Sequence, residues 1–142
     1  MFSESAHLYD AIYTKLKNYE EEAAKVHAWI NELRPNAKTV LDVACGTGEH
    51  SKYLKNWYQV DGVDLSKEFL AIAQSKNPNG LYKVANMIDL DLGKRYDAII
   101  CLFSSIGYVE TVRRTDQRGS PWSRLEFLRG QYGFFESLRW LF

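Results

Sequence analysis

Apolar positions recur at helical spacing along the first part of the chain. Leu8, Tyr9, Ile12, Tyr13 and Leu16 share one face, which predicts a short amphipathic helix. Its tyrosines serve either as packing residues or as a lid over a bound ligand. Asn18, followed three residues later by Glu21, has the spacing of a capping box. Ala23, Val26, His27, Ile30 and Leu33 then form the stripe of a second helix, which Arg34-Pro35 ends. His27 on that stripe reads as a packed residue.

The period then changes. Val40, Leu41 and Val43 make a short apolar run that ends at two glycines, Gly46 and Gly48. Helix-compatible residues follow from Glu49 to Asn56, so the pattern is strand, tight turn, helix. In that helix Tyr53 and Leu54, with Trp57 just beyond, point inward and His50 is expected to be solvated. Residues 58–64 read as a second strand ending in the carboxylate of Asp64, and Ser66 is a good N-cap for a helix over 67–76. Asn77-Pro78-Asn79-Gly80 turns the chain into a third strand over 81–85, and Leu92-Gly93-Lys94-Arg95 introduces a fourth over 96–103. Strands alternating with helices at this spacing predict an α/β fold, a doubly wound parallel sheet of about four strands preceded by two helices. The nearly continuous apolar fourth strand fits a central place.

Bulk properties narrow the class. With 142 residues, 46% apolar and 25% charged, the chain has room for one domain with a real core. A formal net charge of zero favours neither nucleic acid nor an anionic membrane as partner. Residues 1–10 lack a basic stretch followed by an apolar one, and no apolar run reaches bilayer length, so a cytoplasmic protein is expected. Cys45 and Cys101 are too few for a disulfide framework or a zinc site, so no metal is expected and both read as small buried residues.

The glycine corner carries the chemistry. Without a Cβ at Gly46 and Gly48 the backbone can turn at positive φ, and a ligand can lie directly on the peptide units. Asp42 places a carboxylate nearby, which disfavours a phosphate and tolerates a cation. A dinucleotide fingerprint would need its third glycine at position 51, where Ser51 stands, and no G-x-x-x-x-G-K loop is present. Asp64 at the carboxyl end of the second strand is placed to accept from both hydroxyls of a ribose, or is simply a solvated strand-end residue.

Asp42-Val43-Ala44-Cys45-Gly46-Thr47-Gly48 resembles motif I of the class I S-adenosylmethionine (SAM)-dependent methyltransferases. Leu-Tyr-Asp-Ala-Ile-Tyr (8–13), Leu-Ala-Ile-Ala (70–73) and Cys-Leu-Phe-Ser-Ser-Ile-Gly-Tyr (101–108) are similar to the small-molecule N-methyltransferases that act on amino sugars carried by nucleotides. This resemblance covers nearly all of the first 110 residues. It implies a Rossmann-like fold, SAM as cofactor and a small-molecule amine as acceptor. It also implies that Ala44, Gly46 and Gly48 line the methionine part, that Asp64 holds the ribose, that Asn86 and Met87 meet the adenine, and that Asp42 and Leu65 belong to the same cofactor site. Asn86 stands where the family usually has Asp, so weaker binding is expected. Phe103 and Ser104 would flank the sulfonium, although Ser104 and Ser105 read equally well as a helix cap. Tyr13 and Tyr108 would lie nearest the acceptor as the candidate catalytic residues, a Tyr hydroxyl or a water chain helping the amine attack in its neutral form.

The pattern breaks at Arg113. Residues 1–112 carry ten Lys, two Arg and fifteen acidic residues, a net of −3, whereas residues 113–142 carry six Arg, no Lys and three acidic residues, a net of +3. The later part also lacks Ala, Val and Ile. Leu125, Leu128, Tyr132, Phe135 and Phe142 hint at a helical stripe that Gly130 and Gly133 interrupt. The chain therefore divides into a SAM-binding methyltransferase domain over 1–112, incomplete, and an Arg- and aromatic-rich tail over 113–142 that reads as an out-of-frame ending. Half the sheet is then expected to be missing, leaving an apolar edge on the fourth strand through which copies could self-associate. Two functions follow, a SAM-dependent methyltransferase or a non-catalytic SAM-binding fragment. A dinucleotide-binding module is disfavoured by Ser51.

Overall fold

The computed structural model describes residues 17–86 and 90–102, the strands at 125–129 and 135–139, and positions 4, 7, 8, 11, 12 and 15. Those six positions are helical, as the leading apolar stripe predicts, and Leu8 and Ile12 among them are exposed.

Helix α1 (Tyr19–Leu33) starts where the cap predicts. The Asn18 side chain accepts the Glu21 backbone N–H at 3.1 Å, and Glu20, Glu21 and Glu22 crowd the positive end of the helix. Its buried face is Tyr19, Ala23, Val26 and Ile30. Strand β1 (Thr39–Val43), helix α2 (Glu49–Leu54) and strand β2 (Gln59–Asp64) follow, then helix α3 (Lys67–Lys76), capped by the Ser66 hydroxyl on the Phe69 N–H at 3.2 Å. Strands β3 (Tyr82–Val84), β4 (Ala98–Cys101), β5 (Leu125–Arg129) and β6 (Phe135–Arg139) complete the order.

The sheet runs β3-β2-β1-β4-β6-β5. The first four strands are parallel, with Val40 beside Val60 on one side of β1 and beside Ala98 on the other. The chain winds outward from β1 through β2 to β3, then returns to place β4 against the opposite side of β1. Strand order thus reverses at β1, and the carboxyl ends of its strands leave a crevice there.

Val40, Val60, Ala98 and Ile100 on one face pack under Ala23, Val26 and Ile30 of α1 and Leu54 of α2. On the other face Leu41, Val43, Val63, Ile99 and Cys101 meet Leu90 and Tyr96. β4 is buried throughout, in the central place its apolar run predicts.

Two expectations about the later part are corrected. β4 does not present a free edge, because β6 pairs with it antiparallel, Ile100 opposite Leu138 and Cys101 opposite Ser137. Self-association through that edge therefore loses its structural basis. Nor does the stripe through Leu125, Leu128 and Phe135 make a helix. Residues 125–129 and 135–139 are paired strands, Phe127 opposite Ser137. Two five-residue runs separated by a segment holding Gly130 and Gly133 form a hairpin pattern, and pairing on β4 favours it over a helix that two glycines would weaken.

Candidate functional site

The turn after β1 is built from three departures from ordinary backbone, at alternate residues. Gly46 and Gly48 lie at φ 58° and 77°, as the glycine corner predicts, and Ala44 joins them at φ 56°. A side chain at positive φ costs about 1–2 kcal/mol, so the strain at Ala44 is held by its surroundings. The Cys45 N–H donates to the Val63 carbonyl at 3.0 Å and the Gly46 N–H to Asp64 Oδ2 at 2.8 Å. Asp64 also accepts the Ser66 N–H on Oδ1 at 2.9 Å. One carboxylate at the end of β2 thereby ties down both the glycine corner and the entrance to α3.

The two glycines do different work. A Cβ on Gly48 would lie 2.8 Å from the Cβ of Ala73, so Gly48 lets the corner close on α3. A Cβ on Gly46 would meet no atom within 4 Å, so Gly46 faces open space.

That space is a cavity of about 180 Å³ lined by Asp42, Ala44, Cys45, Gly46, Thr47 and Asp64, with Tyr19, Glu49, His50, Phe69 and Leu102 closing its sides. Three lining residues are carboxylates and none is Lys or Arg among the described residues. Such a wall repels a phosphate and accepts a cation. Glu49 is already paired with Lys76. Asp42 is 2% exposed and receives the Ser51 hydroxyl at 3.1 Å. Burial, reinforced by the charge of Asp64 and only partly offset by Ser51, pushes its pKa up to about 7.

Among the residues singled out from sequence, Asp42, Ala44, Gly46 and Asp64 come together on this cavity. Gly48 supports it from behind. Leu65 is exposed and Asn86 lies on the surface, both outside the lining. Tyr13, Met87, Phe103, Ser104 and Tyr108 lie outside the described residues.

His50 corrects its expectation. It is buried, not solvated, with Nε2 2.7 Å from Glu22 Oε2 and its ring edge-on to Tyr19 at 5.0 Å. Burial lowers its pKa, and contact with Glu22 only partly offsets that. Trp57 is also largely exposed, stacking on His27 at 4.3 Å, whereas Leu54 is fully buried as expected. His27 is a packed residue as read, its Nδ1 2.7 Å from the Tyr58 hydroxyl. Cys101 is buried, and Cys45 is half-buried on the cavity wall. Tyr19 and Phe69 carry no motif of their own; only the packing of α1 and α3 beside the corner brings them to the wall.

A crevice at a reversal of strand order, bounded by a glycine corner and by acids at the ends of two neighbouring strands, defines a Rossmann-like ligand-binding domain. The chain belongs to the methyltransferase domain family, which matches residues 40–117.

It is 43% identical over 108 residues to the dTDP-3-amino-3,6-dideoxy-alpha-D-glucopyranose N,N-dimethyltransferase of Streptomyces fradiae, covering 75% of this chain and 42% of that protein. It is 34% identical to the dTDP-3-amino-3,4,6-trideoxy-alpha-D-glucopyranose N,N-dimethyltransferase of Streptomyces venezuelae, covering 75% and 46%. Among solved structures, an amino pentose methyltransferase of Micromonospora echinaspora with SAM bound superposes with a TM-score of 0.70 at 35% identity, over 75% of this chain and 46% of that one. The chain thus spans less than half the length of these relatives. No helix among the described residues is long and apolar enough to cross a membrane.

Proposed function

We propose that the protein is the SAM-binding part of an N-methyltransferase whose acceptor is the amine of a nucleotide-linked amino sugar. The observation that carries this reading is the joint position of Asp42 and Asp64 on one cavity beside the open Gly46 corner. The names of the relatives supply the acceptor class.

The residues present suit an adenosyl sulfonium. Each Asp64 oxygen holds one backbone N–H and keeps a lone pair for a ribose hydroxyl. Gly46 lets a ligand approach the peptide units, Ala44 borders the same wall, and Asp42 supplies negative charge without a basic partner among the described residues. Leu65 would border the cofactor next to Asp64, Asn86 and Met87 would follow along the adenine, Phe103 and Ser104 would flank the reacting centre, and Tyr13 and Tyr108 would face the acceptor. Bound SAM supplies a methyl group already activated on sulfur. The protein's contribution is then alignment and exclusion of water, and alignment alone can supply about 7–11 kcal/mol.

Calorimetric titration of the full chain with SAM and S-adenosylhomocysteine tests the site, and saturable binding of both is expected. No binding of either sinks the proposal. A second reading, binding without turnover, is favoured by the 42% share of the first relative that the chain spans. Methyl transfer to a dTDP-linked amino sugar separates the two readings.

A further inference from the structure

Asp42 is the least satisfied of the buried carboxylates among the described residues. It is 2% exposed and borders the cavity, yet its one hydrogen bond comes from the neutral Ser51 hydroxyl on α2. Among the described residues the groups around it offer no positive charge. Asp64 faces it from β2, the Cys45 thiol from the corner, and the Tyr82 phenol from β3. Glu49 and His50 of α2 border the same cavity, Glu49 Oε1 meeting the Lys76 ammonium and His50 Nε2 meeting Glu22 Oε2.

We infer that Asp42 is the residue through which this cavity reads the charge of its ligand: as the carboxylate it meets the cationic centre of an adenosyl compound, the ammonium that SAM and S-adenosylhomocysteine share, and it releases its own proton to solvent when that ligand enters. This rests on the proposed cofactor cavity. An acid buried without a counter-charge holds its proton to higher pH, here to about 7, because ionising it in place is uncompensated. A cation beside it supplies the missing counter-charge, so binding and ionisation are linked. The same group discriminates against neutral adenosyl compounds of equal shape, which gain nothing from its ionisation.

The test is calorimetry on the full chain with three ligands, SAM, S-adenosylhomocysteine and 5′-methylthioadenosine, the last carrying no charge. Between about pH 5 and about pH 7 the ligands' own amine stays protonated, so the protein supplies the pH dependence. Affinity for SAM and S-adenosylhomocysteine should rise about tenfold per pH unit in the lower half of that window, with close to one proton released per ligand bound. Affinity for 5′-methylthioadenosine should stay flat.

Asp42→Asn keeps an acceptor for the Ser51 hydroxyl and should flatten the profile for all three ligands. His50→Gln should leave the slope in place. A flat profile for SAM in the wild type, an equal slope for 5′-methylthioadenosine, a slope surviving in Asp42→Asn, or one lost in His50→Gln each overturns the inference. Binding of none of the three at any pH overturns the cofactor assignment and this inference with it, whereas saturable binding without pH dependence overturns the inference alone.

Discussion

Asp42 and Asp61 stand on neighbouring strands, each 2% exposed, and point to opposite faces of the sheet. Asp61 is saturated by its own chain. Its Oδ1 accepts the Leu81 N–H at 3.0 Å, and its Oδ2 accepts the Tyr96 hydroxyl at 2.7 Å and the Lys94 ammonium at 2.9 Å. Burial would raise its pKa, but these three donors outweigh burial and hold it below the ordinary carboxylate value. Asp42 has one neutral donor and an open cavity, and burial wins. The same side chain at the same exposure is thus a structural tie on one face and an unmet charge on the other, and the donors the fold supplies to Asp61 are what hold its charge.

The largest effect should come from the saturated side. Asp61→Ala orphans the Tyr96 hydroxyl and the Leu81 N–H, at about 1–3 kcal/mol each, and urea denaturation should show a loss of about 3–4 kcal/mol. Lys94 adds little, its side chain being 42% exposed and free to meet water. Gly48→Ala should cost about 2–3 kcal/mol, combining strain at φ 77° with the clash on Ala73.

Asp42→Asn should act in the opposite direction and stabilise the ligand-free protein by on the order of 1–3 kcal/mol near neutral pH. The sign follows from its folded pKa of about 7, above the ordinary value of 3.8. The folded state then binds more protons between those values, so stability from this group is present at low pH and is lost as pH rises from about 4 to about 7. The difference between variant and wild type should grow across that window and level off above it. Asp61 runs the other way, its contribution present above the ordinary carboxylate value and lost as acidification passes its lowered pKa. Smallest in stability is Gly46→Ala, about 1–2 kcal/mol for φ 58°, yet the added methyl enters the open side of the corner and should abolish adenosyl ligand binding in calorimetry.

The sequence made the frame around these acids readable because its signals are local. Asn18 and Ser66 cap helices where their side chains predict, the glycine corner turns where Gly46 and Gly48 stand, and Asp64 falls at the end of β2. The burial of His50 is not legible locally, because it depends on α1 closing over α2, a contact 28 residues away in sequence. The difference between Asp42 and Asp61 was equally hidden, since the donors to Asp61 come 20 to 35 residues downstream. Ala44 at positive φ had no signal at all, alanine being an unfavourable choice there. In the later part, the helical period through Leu125 and Leu128 gives way to strands, because the two runs pair with each other and with β4.

The central claim is that the corner between β1 and α2 is a ligand site. Its most direct test is a titration of S-adenosylhomocysteine into the ¹⁵N-labelled full chain, followed by amide chemical shifts. The amides of Gly46, Thr47, Gly48 and Ser66 should move together and saturate, while those around Asp61 and Leu81 on the opposite face stay in place. Signals at the corner that do not respond, or saturable shifts confined to residues away from it, would contradict the account.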